Sequence, residues 1–283
     1  MTDIGTKFKG SSIIAFNELK YFTGITSLSS RAFYNCKNLW KITLPNNILS
    51  FEDGSISGST TNGFDGYGTF SGTNITNITL PYALKSIGNG AFAYCSQLKY
   101  VEFGNQVEKI SSYAFYECKS LSGFTIPDSV TEIGKGSFYH CDSLTSVIIP
   151  NNVSVIGDSA FCSCDTLCSI DIGNGITIIP NSICSSCPLL TTVTIGRSVK
   201  TIEYGAFDNC DRLTSVYCKP TTPPGVYYSQ YGGVSIDRIS GMKIFVPRES
   251  YDTYTSFSTT QEQITSQKNW CLYKSYIQPY DFE

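Results

Sequence analysis

The chain has 283 residues, of which 41% are hydrophobic and 15% charged, and its formal net charge is −3. This weak, slightly acidic charge provides no basic field to attract phosphate backbones, so we expect no nucleic-acid partner. No apolar run approaches the roughly 20 residues of a membrane span, and the first twenty residues lack a signal-peptide core, so we expect no membrane insertion.

The N-terminal segment, residues 1–32, is predicted to be a cap. Phe16, Leu19 and Tyr21 have the spacing of three inward residues in the first regular coil. A solenoid needs such a cap because the buried side chains of its last coil would otherwise face water. We therefore expect a degenerate coil that covers the first regular one.

A phrase of the type AFxxC then returns along the chain, with a period of 23 residues between Phe92 and Phe207. Counted from the Phe as position 0, a Cys stands at +3, a Leu at +6, apolar residues at +9 and +11, and aliphatic residues at +15 and +18. The +9 and +11 pair predicts a short strand with one buried face, which a Pro such as Pro150 ends. One repeat cannot bury its apolar side alone, so we predict stacked coils with continuous buried columns. Position 0 is occupied by Phe33, Phe92, Phe115, Phe138, Phe161, Cys184 and Phe207.

The pattern is interrupted near residues 51–69, a stretch rich in Gly, Ser, Thr and Asn. Phe33 and Phe92 are 59 residues apart, which is two periods and about 13 extra residues, and the pattern is expected to resume with Ile75. Insertions in repeats usually emerge as loops on one face. This one is either a tolerated surface loop or a recognition loop that carries Phe51, Phe64 and Tyr67, with Phe64 and Tyr67 as the candidate binding residues.

The repeats are predicted to occupy residues 33–218 and to end where Pro220, Pro223 and Pro224 follow. Residues 219–283 contain the strand-like segment IFVP and a segment, RESYDTYTSF, that favours a short helix. We predict a C-terminal cap. Its core is expected to contain Phe245, Tyr251, Tyr254, Trp270 and Ile277.

These repeats resemble the BspA-like leucine-rich repeat family, whose pattern has the form AFxxCxxLxxIxIPxxVxxIG. The resemblance covers the chain from about Phe33 to Cys218. It implies a β-rich α/β repeat fold, a right-handed leucine-rich repeat solenoid with 23-residue coils, capped at both ends. It also implies binding to proteins or surfaces, often in bacteria, and favours a location at the cell surface or in the secreted fraction, although the chain shows no signal peptide.

Twelve cysteines suggest disulfides or a metal until they are placed on the repeat. A buried free Cys behaves as a small hydrophobe, so the +3 column predicts a structural ladder of thiols. The CxxC spacing of Cys184 and Cys187 leaves a zinc site as an alternative, and Cys162 or Cys168 leaves a disulfide. We expect neither a metal nor a cofactor. The +3 column contains Cys36, Cys95, Cys118, Cys141, Cys164, Cys187 and Cys210.

Signals for catalysis are weak. His140 is the single histidine, and it stands at a variable +2 position beside Cys141 and Asp142. A nucleophile needs a base and an orienting partner, and Cys141 belongs to the buried column, so we do not expect an enzyme.

The outward strand positions, +8 and +10, form the predicted binding face. Most of them are Ser or Thr, which suit a solvent-facing strand, whereas large aromatic residues are enriched in interfaces. The candidate residues on this face are Tyr100, Glu102, Ile148, Asp171 and Tyr217.

The predicted function is a non-enzymatic binding or adhesion module that recognises a protein or glycan surface. The alternative is a structural spacer or assembly component of a larger particle or surface appendage. Self-association through exposed sheet edges is a further alternative.

Overall fold

The computed structural model describes residues 4–55, 66–226, 236, 241–256 and 269–283. The chain divides into two compact units, Met1–Leu144 (unit 1) and Thr145–Glu283 (unit 2). Each unit is a parallel β-solenoid with coils of about 23 residues and few helices, which confirms the predicted fold class.

Most coils of unit 1 contribute two short strands, not the single strand predicted. The second strand contains one inward residue at +18 beside a half-buried or exposed neighbour, as in Glu132–Ile133. A single inward residue has no period-2 pattern, so sequence alone did not indicate a strand there. The first strand row of unit 1 consists of β1 (Ala15–Phe16), β3 (Lys41–Ile42), β5 (Asn77–Thr79) and β7 (Tyr100–Glu102). The second row consists of β2 (Ser27–Leu28), β4 (Ser50–Phe51), β6 (Ser86–Ile87), β8 (Lys109–Ile110) and β9 (Glu132–Ile133).

The two rows of unit 1 differ in continuity. The second row pairs without a break from β2 through β4, β6 and β8 to β9. The first row pairs only as β1 with β3 and β5 with β7. The first row is therefore interrupted between β3 and β5.

The position-0 column of unit 1 is a continuous stack of phenylalanine rings. Adjacent rings lie 5.1–5.5 Å apart, and the planes of the rings of Phe33 and Phe70 differ by only 1°. All but Phe8 are fully buried, and each buried ring contributes about 1.5 to 3 kcal/mol. The stack is formed by Phe8, Phe33, Phe70, Phe92, Phe115 and Phe138.

Two members of this stack were not predicted. Phe8 lies in the segment expected to be a degenerate cap, and Phe70 lies just after the expected insertion. Both are followed by Gly at +2 and a hydroxyl residue at +3, Ser11 or Thr73, where the regular coils have Cys. The hydroxyls of Ser11 and Thr73 lie 3.5 and 3.3 Å from the next cysteine sulfur in the column. They therefore occupy the cysteine column.

The predicted spacing of the N-terminal segment was wrong. Phe16 pairs in register with Ile42, so it stands at the equivalent of +9, not +6. Leu19 is buried, but Tyr21 is 73% exposed and covers no coil. Since Phe8 begins this coil and Phe33 begins the next, the segment is a coil of 25 residues in a different register.

Unit 2 has a regular first row. Its strands are β10 (Ser146–Ile149), β12 (Ser169–Ile172), β14 (Thr192–Ile195), β16 (Ser215–Cys218), β18 (Lys243–Pro247) and β19 (Ile277–Tyr280). They pair in parallel in that order. Its second row consists of β11 (Val155–Ile156), β13 (Ile178–Ile179), β15 (Thr201–Ile202) and β17 (Gly225–Val226).

The C-terminal segment continues the first row through β18 and β19. Between them the chain forms the 3₁₀-helix Arg248–Ser250, the helix α1 (Tyr251–Thr255) and the 3₁₀-helix Asn269–Tyr276. Tyr254 and Trp270 are fully buried, and each donates a hydrogen bond to a backbone carbonyl of the proline segment, of Pro220 at 2.7 Å and of Pro224 at 2.6 Å. Phe245, predicted in this core, instead lies on the outer face of the sheet.

The cysteine column has a second structural role besides filling space. Cys95 and Cys118 each donate a thiol hydrogen bond at 3.1 Å to the carbonyl of the position-0 residue one coil earlier. The same carbonyls accept the backbone N–H of the Cys in their own coil, as Phe92 does from Cys95. Among the cysteines whose side chains the structure describes, Cys168 is the exposed one. The ladder of thiols thus satisfies backbone carbonyls within the turns.

Candidate functional site

A groove opens on the first strand row of unit 1 where β3 and β5 fail to pair. Its volume is about 410 Å³, and sites for small ligands occupy roughly 300 to 1,000 Å³. We call it the strand-face groove. Its exposed or half-exposed walls include Trp40, Lys41, Asn46, Thr76, Asn77 and Tyr100.

Few backbone hydrogen bonds join the two coils at the groove. Thr76 donates to the Trp40 carbonyl at 3.3 Å before the strands, and Ala83 donates to the Asn46 carbonyl at 3.1 Å after them. The insertion lies between these two strands, and the coil that starts at Phe70 reaches Phe92 after 22 residues, one fewer than the period. Across this segment β3 and β5 do not form the ladder that β5 and β7 form, whereas β4 and β6 of the second row still pair.

Two aromatic side chains stand on the groove about half exposed, Trp40 at 49% and Tyr100 at 48%. The Lys41 ammonium lies 5.9 Å from the centre of the Trp40 ring, a cation–π contact. The Tyr100 ring lies over Gly123, where an added Cβ would come within 2.8 Å of Tyr100 Cδ2. Gly123 thus leaves the space that this ring orientation requires.

The polar groups of the groove are mostly uncharged and held in place. The Asn77 amide donates to the Thr76 hydroxyl at 3.5 Å, and Thr43 donates to the Asn17 side chain at 3.2 Å. Thr79 donates to the Glu102 carboxylate at 2.8 Å. The apolar floor is closed, because Ile42, Leu44 and Ile78 are at most 7% exposed.

The predicted strand-face residues fall into two groups. Tyr100 lines the groove, and Glu102 is exposed at the other end of the same strand, β7. Ile148 and Asp171 are register partners in unit 2, where Ile148 is 70% exposed and Asp171 is half-buried. Sequence reasoning had placed all of them on one face without this distinction.

Tyr217 lies on the outer face of unit 2 but is partly covered. Its ring stacks on Phe245 at 4.8 Å and meets the edges of Tyr280 and Phe282 at 5.5 and 6.5 Å. The C-terminal residues therefore occupy much of the surface that this ring would offer to a partner.

Of the three aromatic residues predicted for a recognition loop, Phe51 is instead a core residue of β4, at 1% exposed. Phe64 lies outside the described residues. Tyr67 is half-buried, with the Arg31 guanidinium 3.4 Å above its ring and Tyr34 5.8 Å away. Tyr67 also closes the base of the insertion through an antiparallel bridge with Ser55.

A second groove of about 450 Å³, which Tyr34, Lys37 and Tyr94 help to line, adjoins this base.

Trp40 was missed by sequence reasoning. It stands at +7, one residue before the outward positions that were considered. The signal that would have found it is composition, because the chain has only two tryptophans and an exposed one on a Ser- and Thr-rich face is unusual.

The repeats that build this groove match a known family model. The model for the BspA type leucine-rich repeat region matches in six copies, over residues 5–64, 66–189 and 132–228. The chain belongs to the BspA-type leucine-rich repeat family. The matched ranges include residues before Phe33, in agreement with the coil that begins at Phe8.

Solved structures of leucine-rich repeat proteins are similar to this BspA-type chain. The leucine-rich repeat protein of T. pallidum is 24% identical over 66% of this chain and 78% of its own, with a TM-score of 0.47. A leucine-rich cell surface protein of Faecalibacterium prausnitzii is 18% identical over 89% of this chain and 85% of its own, with a TM-score of 0.37. A leucine-rich repeat protein of Bacteroides ovatus is 19% identical over 92% and 82%, with a TM-score of 0.38. No curated protein matches the sequence.

The residues considered for catalysis take structural positions in these leucine-rich repeats. Cys141 is buried and donates to the Phe115 carbonyl at 3.3 Å, and burial raises the pKa of its thiol. The His140 ring lies 3.3 Å from the Asp142 carboxylate, and its backbone has φ of +55°. The +2 residues Asn35, Tyr94 and Glu117 have the same left-handed backbone. His140 therefore occupies a turn position common to the repeats.

The cysteine cluster of unit 2 contains the residues for which zinc or a disulfide was the alternative. Burial and the neighbouring thiols of Cys187, Cys210 and Cys164 raise the pKa of Cys184. Within the described ranges, no group of three His, Cys, Asp or Glu side chains is arranged to hold a metal ion. No helix in the described part of the chain is long and apolar enough to cross a membrane.

Proposed function

We propose that this leucine-rich repeat protein is a non-enzymatic recognition module of the adhesion type, which binds a protein or glycan on a surface. The observation that carries this proposal is the strand-face groove of unit 1, with Trp40 and Tyr100 half exposed beside it. Large aromatic residues on a rigid scaffold provide contact area at a low entropic cost, and they are enriched where partners bind.

The proposal of a non-enzymatic role is supported by how the reactive groups are used. The Cys141 thiol is committed to a carbonyl of the preceding coil. A catalytic thiol must instead be exposed and have a lowered pKa. We extend the proposal to a location at the cell surface or in the secreted fraction, as the BspA-type family implies.

The experiment is a cell-binding assay with the intact, labelled protein. Binding to bacterial and epithelial cells is measured by flow cytometry for the wild type, a Trp40→Ala/Tyr100→Ala double variant and a Tyr82→Ala control. Tyr82 is 57% exposed but does not line the groove, so it controls for the loss of any exposed aromatic ring. We expect binding by the wild type and the control and a loss of at least tenfold in the double variant.

A structural spacer is the second candidate, and one observation favours it. The outer face of unit 2 presents Ser169, Thr192, Thr194 and Ser215, all small and half-buried. Such a face suits a sheet that only separates other parts of an assembly. Absence of binding by the wild-type protein to every cell type would favour this spacer role over recognition.

A further inference from the structure

We infer that the strand-face groove is a binding site for a neutral oligosaccharide. This inference rests on the proposed recognition function and specifies the chemical class of the ligand at that site. Three observations determine the class: the charge of the lining, the depth of the floor and the combination of aromatic rings with amide and hydroxyl groups.

The charge of the groove argues against an anionic ligand. Lys41 is the one cationic side chain among the lining residues of the groove, and its ammonium already faces the Trp40 ring. Recognition of phosphate, sulfate or carboxylate groups uses clusters of Arg and Lys with charge-assisted hydrogen bonds. The remaining polar lining is uncharged and consists of Asn and Thr side chains.

The floor argues against an apolar peptide anchor. Peptides that bind through side chains insert aromatic or aliphatic anchors into desolvated pockets. Here the apolar floor residues Ile42, Leu44 and Ile78 are at most 7% exposed, so the groove offers no apolar pocket of that depth. A ligand must instead lie flat on the rings and contact the polar rim.

The combination of groups matches the chemistry of a sugar ring. A pyranose has one face of C–H groups, which packs on a flat aromatic ring, and a rim of hydroxyls that both donate and accept hydrogen bonds. Trp40 and Tyr100 supply the rings. Asn77 and Thr76 supply amide and hydroxyl groups, which already contact each other at 3.5 Å. A volume of about 410 Å³ admits a short oligosaccharide.

Gly123 provides a variant that tests position without removing a ring. An added Cβ at Gly123 would overlap the Tyr100 ring, which is the mobile end of a side chain and can turn away. Gly123→Ala is therefore expected to keep the fold and displace the ring. Asn77→Leu removes the amide while keeping a similar volume.

The test measures binding of the purified, full-length protein to an array of neutral, sialylated and sulfated oligosaccharides, followed by calorimetry with the best neutral sugar. We expect binding to a neutral sugar, a loss of about tenfold or more with Trp40→Ala or Tyr100→Ala, and several-fold losses with Gly123→Ala and Asn77→Leu. Tyr82→Ala is expected to bind as the wild type does. Circular dichroism confirms that each variant is folded.

Three outcomes would overturn the inference. Binding only to sialylated or sulfated sugars would show that the recognised ligand is anionic. Neutral-sugar binding that all four groove variants leave unchanged would place the sugar site outside the groove. Binding to cells that is lost in the groove variants and persists after enzymatic deglycosylation, with no array sugar bound, would identify a protein partner; the proposed recognition function would then stand while the sugar inference failed.

Discussion

At the residue scale, the cysteine at +3 is explained by the buried column that it fills and by the carbonyl of the preceding coil that accepts its thiol. Cys118 is fully buried, and its thiol reaches the Phe92 carbonyl at 3.1 Å. Ser11 and Thr73 occupy the same column, so a hydroxyl of similar size also fits. Disulfide or metal chemistry is not needed to explain the column.

Substitution of Cys118 tests this explanation. Cys118→Ala removes the donor and leaves a void, so we expect the free energy of unfolding to fall by about 1 to 3 kcal/mol. Cys118→Ser keeps a donor, and its loss should be clearly smaller. Urea denaturation followed by circular dichroism measures both. Equal losses would show that the column is a matter of packing alone.

The same thiols predict a pH dependence. Burial raises the pKa of Cys95 from 9.0 to about 11, partly offset by a hydrogen bond from Thr73. Above pH 9 the unfolded chain releases this proton while the folded chain retains it, so stability falls as pH rises towards 11. A pKa raised from 9.0 to about 11 corresponds to roughly 2 to 3 kcal/mol of stability for this thiol.

The measurement is the urea midpoint at pH 8 and at pH 10.5. Cys95→Ser serves as the matched control because it removes this proton and leaves every other titrating group in place. We expect a smaller loss of stability at pH 10.5 in the variant than in the wild type. Identical losses would contradict the linkage to Cys95.

At the element scale, the insertion is separated from the coils by a defined base. Gly54 donates to the Asn89 carbonyl at 3.0 Å, and the Asp53 carboxylate accepts from the Asn89 N–H at 2.9 Å. A Cβ at Gly54 would overlap the backbone of Tyr67 and Asn89. The base therefore belongs to the solenoid, whereas residues between its two sides are the insertion proper.

The distinction between base and insertion predicts a small loss of stability for one change and a larger loss for another. Deleting residues 57–64 and joining the ends through two glycines should change the unfolding free energy by less than about 1 kcal/mol, since long loops close at little entropic cost. Gly54→Ala, a much smaller change, should cost more than about 2 kcal/mol because a backbone must move. Thermal or urea unfolding compares them, and a deletion more harmful than Gly54→Ala would mean that the insertion itself stabilises the coils.

At the scale of the whole molecule, net charge is expected to contribute little to the binding of a partner. The formal net charge of −3 over 283 residues gives a weak long-range field, and the strand-face groove contains one cationic side chain. Surface recognition by such a molecule depends on short-range contacts, which salt screens little.

Salt dependence of binding tests this view. Affinity for a cell surface or a neutral sugar is expected to change less than about threefold between 50 and 500 mM NaCl. A tenfold or greater loss at high salt would instead indicate an anionic partner, and the cations Arg31 and Lys37 near the insertion would become the residues to substitute. Titration of the wild type at both salt concentrations decides between these outcomes.

The sequence alone determined the family, the coil length and most of the core, because each inward position recurs every 23 residues and a stacked coil can bury it in only one way. The stacked phenylalanines from Phe92 onward and the cysteine column followed directly from that period. Phe8 and Phe70 were not predicted as members of this column because Ser or Thr replaces the cysteine in their coils. Gly10 and Gly72 nevertheless have the left-handed backbone of the same turn.

The candidate site was decided by tertiary structure. β3 and β5 do not pair, and no residue pattern shows this. Sequence reasoning proposed Tyr100 as a candidate but could not tell that Trp40 shares its groove or that Tyr217 is partly covered by Phe245. Periodicity specifies which residues are inside; which outward residues meet, and which are covered, depends on contacts between segments distant in the chain.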